Sequence, residues 1–350
     1  MRRMDSITQA VLGAGLQGAI LGRFQGRRAI LYGAALATLP DLDVFVRYAD
    51  PVSSMTFHRG FSHSLFILTA LSIVMTLVIR RLFPKADYSA RRLWLTLWLV
   101  LVTHPLLDAL TAYGTQLWWP LTPTPTAWSS LFIVDPVFTI PLVLTTVAAL
   151  ILGIGARMTR WLRGALVFCA LYIAFSLVGK TIVEHRVTQA LRQDGIEATQ
   201  VFSTPAPLNT LLWRVIVKDG SGDYHESFVS LFDRQAPDLT RLPLQQPLAA
   251  LLGDAPEHAR LQWFTDNWLR YDVAGETLVV TDLRMGMAGH HFFRFAMAER
   301  RDGQWHVIVP RNWPGLRGGE PELRLLLSRI LDESVVIPLA QWDAFMTDVR

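Results

Sequence analysis

A single cysteine, Cys169, is all that the 350 residues contain. Neither a disulfide framework nor a cysteine-built zinc site is therefore possible within one chain. Charge is scarce too: Asp, Glu, Lys and Arg make up 18% of the residues, and the net charge is +4. The basic residues gather at the ends of apolar segments. Nucleic-acid binding usually needs a continuous basic stripe, so no nucleic-acid partner is expected. The sequence has no internal repeat and no low-complexity tract; residues 121–126 form only a short, stiff Thr-Pro loop. Segment 10–21 follows Arg2 and Arg3 as in a signal peptide but lacks an A-x-A cleavage site, so it is read as retained.

What the chain has in quantity is apolar sequence, 51% of all residues, concentrated before residue 180. A membrane span needs about 20 such residues. Segments 63–80, 93–111, 135–155 and 161–179 meet that length and read as four clear spans. Two shorter segments, 7–22 and 28–40, come first and are rich in Gly and Ala, which lets helices approach closely. They are short spans or a re-entrant hairpin. After Lys180 the composition is that of a soluble domain. Segments 211–218 and 224–232 read as strands joined by an Asp-Gly-Ser-Gly turn, with further strands at 277–283, 290–298 and 305–309. Helical patterns occur at 181–193, 244–252, 256–269 and 321–332. The expected architecture is a multi-helix membrane domain, 1–180, followed by a soluble α+β domain, 181–350.

Lys and Arg give the orientation. Arg23, Arg27, Arg28, Arg80, Arg81, Lys85, Arg91, Arg92, Arg157, Arg160 and Arg163 fall in connections on one face, which should be cytoplasmic. The other face carries only Arg2, Arg3, Arg47 and Arg59. The soluble domain is then non-cytoplasmic.

The chemistry-bearing residues fall on that second face. They are Asp41 and Asp43 after Pro40, His58 to His63 before the third segment, and His104 and Asp108 closing the fourth. Ionisable residues beside a bilayer are costly and point to function. His and Asp together are metal ligands. His104 and Asp108 are i,i+4 and share a helix face; the bland alternative is a packing histidine and a capping aspartate. Ser62 can cap the third helix, placing His63 in its first turn. That helix end, with Arg59, could also hold a phosphate; the plain reading is a loop with interfacial histidines. Asp41 and Asp43 point to opposite sides if extended, so one can be a ligand while the other orients a histidine, or both simply end a helix. Asp135 reads as a helix cap. His185, His225, His258, His290, His291 and His306 receive no ligand role, and Asp282 with Arg284 reads as an ordinary ion pair.

Met4 to Thr8 (M-D-S-I-T), Pro40 to Asp43 (P-D-L-D), His58 to Ser64 (H-R-G-F-S-H-S) and His104 to Thr115 (H-P-L-L-D-A-L-T-A-Y-G-T) resemble the YdjM-like family. These are bacterial inner-membrane proteins described as metal-dependent hydrolases and sometimes as LexA-binding. The resemblance covers roughly residues 4–180. Trp213-Arg214-Val215, Trp263-Phe264 and Thr281 to Arg284 look like the C-terminal domain of its longer members. The match begins at Met4, which points to Met4 as the start. One position departs from the pattern: the family usually has a histidine after M-D-S-x-T, and here it is Gln9, a poor zinc ligand.

The resemblance implies a multi-pass protein of the bacterial inner membrane, and the Lys and Arg pattern places its C-terminal domain in the periplasm or outside the cell. Together with the residues it implies a membrane-embedded hydrolase. A divalent metal, Zn²⁺ by donor type, would be held among Asp41, His58, His63, His104 and Asp108, with Asp43 as general base and Arg59 toward a phosphoester. Membrane lipids are the expected surroundings, and an amphipathic or lipid-linked ester or phosphoester the expected substrate. The alternatives are a non-catalytic protein with a structural metal, a transporter, and a scaffold that binds a regulator. The first would show a metal fully occupied by protein ligands. Against the transporter, the polar residues lie at one face and not at the midplane.

Overall fold

The computed structural model describes residues 5–347. Arg2, Arg3 and Met4, which entered the charge pattern and the family match, lie outside the described residues. The chain divides into two compact units. The first takes in the chain up to Val46, His58–Trp128 and Ile133–Phe175; the second takes in Arg47–Phe57, Ser129–Phe132 and the chain from Ser176.

The first seven helices are α1 (Asp5–Gln25), α2 (Arg28–Ala37), α3 (Pro51–Phe57), α4 (Leu65–Leu82), α5 (Ala90–Ala109), α6 (Pro136–Leu152) and α7 (Ala156–Gln193). All but α3 contribute to the first unit. Leu93, Leu97 and Leu101 of α5 pack among Leu21 of α1, Leu36 of α2 and Leu68 of α4. Ala14 and Ala19 of α1 meet Ile30 of α2, Ala149 of α6 and Leu162 of α7. The outer faces are also apolar. Ile73, Val74 and Leu77 on α4, Ile140, Leu144 and Val147 on α6, and Val167, Phe168 and Leu171 on α7 are all exposed. An apolar surface of that extent is untenable in water and suits lipid.

Among the described residues two helices, α4 and α7, are long and apolar enough to cross a membrane, so the expected four clear spans reduce to two. The reason differs for the other pair. Helix α6 has 17 residues, because Asp135-Pro136 starts it and Gly153, at φ +82°, ends it. Helix α5 has 20 residues but carries Arg91, Arg92, His104 and Asp108. Its buried face lines the interior of the unit. Helix α2, at 10 residues, is about 15 Å long and too short for a hydrocarbon core of about 30 Å. Helix α7 runs past the expected end at 179 and absorbs the helix expected at 181–193, giving 38 residues without a break.

Helices α1 and α2 are joined by a tight turn at Gly26, where φ is +59°. They cross at almost backbone contact: a Cβ at Gly33 would lie 2.3 Å from the Gly13 carbonyl oxygen, and one at Gly13 would lie 2.4 Å from Ala37 Cβ. Gly33→Leu is expected to destabilise the protein by at least about 1–3 kcal/mol. Gly164→Ala, with open space around it, should not. Thermal melts of the two variants in detergent check this.

The second unit holds two four-stranded antiparallel sheets, each in sequential order. The first is β1 (Ala198–Pro205), β2 (Leu212–Asp219), β3 (Asp223–Ser230) and β4 (Thr240–Pro243); the second is β5 (Leu269–Ala274), β6 (Thr277–Asp282), β7 (Arg294–Arg301) and β8 (Gln304–Asn312). Helices α8 (Pro256–Thr265), α9 (Glu320–Arg329) and α10 (Leu339–Asp343) complete it. Val183, Val187 and Leu191 on the last part of α7 pack on Trp213, Val215, Val217 and Val229 of β2 and β3. Strands β1, β4 and β5 have no counterpart in the sequence reading. The segment expected as a strand from 290 begins only at Arg294, because Gly286 and Gly289 adopt positive φ and hold His290 and His291 in a loop. The helical pattern at 244–252 is a 3₁₀ turn, Gln246–Leu252.

Candidate metal centre

Every residue of the site comes from the same end of the first unit. Helix α1 brings Gln9, α5 brings His104 and Asp108, and α2 ends just before the turn Pro40–Phe45 that carries Asp41 and Asp43. A second 3₁₀ turn, Phe61–His63, precedes α4. Ser64, and not Ser62, caps α4 by accepting from Ile67 N. His63 therefore stands before the helix and is fully buried.

The histidine tautomers follow from their partners. His104 Nδ1 lies 2.6 Å from the Ala37 carbonyl. A carbonyl only accepts, so Nδ1 carries the proton and Nε2 keeps a lone pair. The same bond satisfies a carbonyl that the end of α2 would otherwise leave open. Ser62 Oγ donates to Asp43 Oδ2 at 2.8 Å and lies 2.9 Å from His63 Nδ1. Having given its proton to the carboxylate, the hydroxyl accepts from His63 Nδ1–H. His63 Nε2 is thus also a lone-pair donor.

These two Nε2 atoms face each other at 3.2 Å. Asp41 Oδ1 lies 3.5 Å from that of His63 and 3.3 Å from that of His104. Asp108 Oδ2 lies 3.1 Å from that of His63 and 3.5 Å from that of His104. A tetrahedral ion with bonds of about 2.0–2.1 Å needs donor atoms about 3.3–3.4 Å apart. Asp41, His63, His104 and Asp108 therefore form a group that could hold a metal ion.

The charges agree with the distances. Asp108 Oδ1 accepts from Gln9 Nε2 at 2.9 Å and faces the Arg59 guanidinium at 3.2 Å. While His63 Nε2 is unprotonated, its other oxygen, Oδ2, is buried without a hydrogen-bond partner among the described residues, 3.1 Å from that nitrogen. Burial alone would lower the His63 pKa, but hydrogen bonds to Asp108 and Asp41 and the nearby carboxylate charges push it up to about 9. Burial likewise works to raise the Asp41 pKa, and the two histidines overcome it and hold the carboxyl below its ordinary range. The pocket attracts positive charge, and a proton on His63 meets that demand when nothing else does.

The remaining sequence candidates take other places. His58 lies outside the four-residue group: its Nδ1 meets Asp43 Oδ1 at 2.9 Å and its ring stands against Tyr113. Asp43 accepts from Ser62 Oγ and from Arg59 N, besides pairing with His58, so donors already surround both its oxygens. Burial works to raise its pKa and these neighbours, His58 foremost, lower it. Arg59 is buried, turned onto Asp108 and Thr111 and away from solvent. Asp135 caps α6 through Val137 N and Phe138 N.

Sequence reasoning treated Gln9 only as a departure and did not see that it grips Asp108; Ser62 was read as a helix cap. Gln9→Ala would leave Asp108 one donor short. The expected result is about 10- to 100-fold weaker metal retention, read by chelator competition.

Comparison with known proteins agrees with the geometry in one respect, that the matched stretch contains the whole group. A family model described as YdjM inner membrane protein matches residues 4–183. The chain is similar to a Bacillus subtilis (strain 168) protein described as uncharacterized protein YfhP, with 26% identity over 83% of this chain and 89% of that one. It is also similar to the inner membrane protein YbcI of Escherichia coli (strain K12), with 33% identity over 26% of this chain and 52% of that one. No solved structure matches the chain.

Proposed function

Because the chain belongs to the YdjM inner membrane protein family, we propose that it is a membrane-embedded metal-dependent hydrolase. Its site opens at the non-cytoplasmic face, and its substrate is a lipid-linked ester or phosphoester. The observation that carries this reading is the donor set. Three donors, on His63, His104 and Asp108, are buried, with side-chain exposures of 0%, 0% and 2%, while Asp41 is 26% exposed. Three buried ligands and one accessible corner are the pattern of catalytic sites, which keep a position open. A Zn²⁺ bound there would supply a water with pKa of about 7 and polarise the scissile group.

The chain's own residues do the rest. His104 is fixed by the Ala37 carbonyl and His63 by Ser62 and Asp43, so both rings are held before anything binds. Gln9 and Arg59 hold one oxygen of Asp108 and so aim the other inward. Asp41, on the solvent side, is the carboxylate placed to take a proton, a role that the sequence suggested for Asp43. The eleven Lys and Arg residues in and beside the α1–α2, α4–α5 and α6–α7 connections support placing the site and the second unit on the opposite, periplasmic side. A lipid-linked substrate fits a site in a unit whose helices α4 and α6 carry exposed apolar faces.

A second reading has its own observation. Asp41 Oδ1 already stands within 3.5 Å of both histidine nitrogens, so it can fill the fourth corner and close the site, leaving a structural metal in a regulator-binding scaffold. Asp41→Asn separates the two. Ester and phosphoester hydrolysis by purified protein should fall about 100-fold or more while metal is retained. A metal-loaded wild type that hydrolyses nothing from either class would overturn the hydrolase reading and favour the scaffold.

A further inference from the structure

The other ends of α1 and α5 meet the start of α7 around a cavity of about 270 Å³. Its walls are apolar, with Leu16 and Ile20 from α1 and Leu166 from α7, and its rim carries Arg23, Arg92 and Arg163. No carboxylate lies within ion-pair distance of any of the three among the described residues. Arg23 and Arg92 stand over the same Phe24 ring, at 4.4 and 5.2 Å from its centroid. Other arginines of this end are satisfied within the chain: Arg27 donates to the Ile151 carbonyl, and Arg80 to those of Ala86 and Tyr88. Arg23 and Arg92 share that ring with no carboxylate of the described residues to offset them, so an anion from outside is a favourable partner. Guanidinium groups pair best with carboxylate or phosphate oxygens.

The walls decide which. An apolar slot below a basic rim, on helices that face lipid, matches a phosphate with an acyl chain attached. Basic pockets between membrane helices on the cytoplasmic side bind lipid headgroups in this way. We propose that the cavity is a binding site for one anionic phospholipid, its phosphate on Arg23, Arg92 and Arg163 and the start of one acyl chain against Leu16, Ile20 and Leu166. The site stands apart from the metal centre and does not depend on the hydrolase reading.

The test is native mass spectrometry of the full chain released from mixed phosphatidylcholine and phosphatidylglycerol micelles. Wild type should keep one phosphatidylglycerol per chain. The triple variant Arg23→Gln, Arg92→Gln, Arg163→Gln should bind it about a hundredfold more weakly. Arg28→Gln, Arg91→Gln, Arg160→Gln removes the same charge from the same end but spares the cavity, and should keep it. Leu166→Trp fills the slot without changing charge and should also lose the lipid, so the proposal remains testable if the triple variant does not fold. Equal loss in both triple variants would show only general surface attraction and overturn the site. Equal retention of phosphatidylcholine, or equal protection by glycerol 3-phosphate, would overturn the anionic-lipid assignment.

Discussion

His104→Ala and Asp108→Ala should each empty the metal centre. Wild type purified in detergent is expected to carry about one Zn²⁺ per chain, and each variant close to none by elemental mass spectrometry. The effect is large because the donors are few and held from behind. Removing the His104 ring takes away one lone pair and also leaves the Ala37 carbonyl at the end of α2 without its donor. Removing the Asp108 carboxylate takes away one ligand and breaks its ion pair with the buried Arg59 guanidinium. His58→Ala is the control. Its ring pairs with Asp43 outside the four-residue group, so metal content should stay near the wild-type value. Metal-free, well-folded wild type after metal has been supplied would remove the basis for the hydrolase mechanism.

The second large effect lies in the other unit and concerns stability alone. Arg214 on β2 makes a two-pronged pair with Glu226 on β3, at 2.7 and 2.8 Å, and donates to the Leu283 carbonyl at 2.6 Å. Both side chains are buried, at 2% and 0% exposure. Arg214→Met strands the Glu226 carboxylate in a dry sheet and should cost about 3–5 kcal/mol. Adding Glu226→Gln removes the stranded charge while keeping an acceptor for Ala288 N, which now bonds Glu226 Oε1 at 3.2 Å. The double variant should therefore melt at a higher temperature than the single one. A single variant as stable as wild type would show that the pair contributes little to holding the sheet together.

The same buried charges explain where the sequence was hard to read. The first helices follow from apolar runs bounded by Pro, Gly and the polar clusters, and α4 and α5 lie within three residues of their expected limits. Strand β5 was missed because Arg270 and Asp272 make it look like a polar loop; in the fold those two pair with each other and lie buried. Helix α7 reads in sequence as two segments, 161–179 and 181–193, because the composition changes from apolar to soluble at Lys180. In the fold Gly179 is a close contact for Leu231, and Lys180 pairs with Glu184 and Ser203. The spans at α5 and α6 are overstated in sequence because Asp135-Pro136 and Gly153 hold α6 to 17 residues and because Arg91, Arg92, His104 and Asp108 fall inside α5.

For the site, the i,i+4 spacing of His104 and Asp108 was legible because a regular helix fixes it. The placement of Asp41, Asp43, His58 and His63 was not, because it depends on two 3₁₀ turns and on Arg59, whose φ is +59°. In such a turn Asp41 and Asp43 part, one toward the histidine pair and the other toward His58 and Ser62. Gln9 could have been flagged as a partner of Asp108 by its place on a helix at the same membrane level, but nothing local in sequence links residues 99 positions apart.

The bond between the last carbonyl of α2 and His104 makes the site sensitive to counting. Each residue of a helix turns the next by about 100°. One residue inserted or deleted between the Gly13–Gly33 crossing and Ala37 would swing that carbonyl away from the imidazole and rotate the turn that carries Asp41. Helix α2 should therefore tolerate exchanges of side chain on its outer surface far better than any change in length. The short, otherwise unremarkable helix acts as a ruler for the centre at its end.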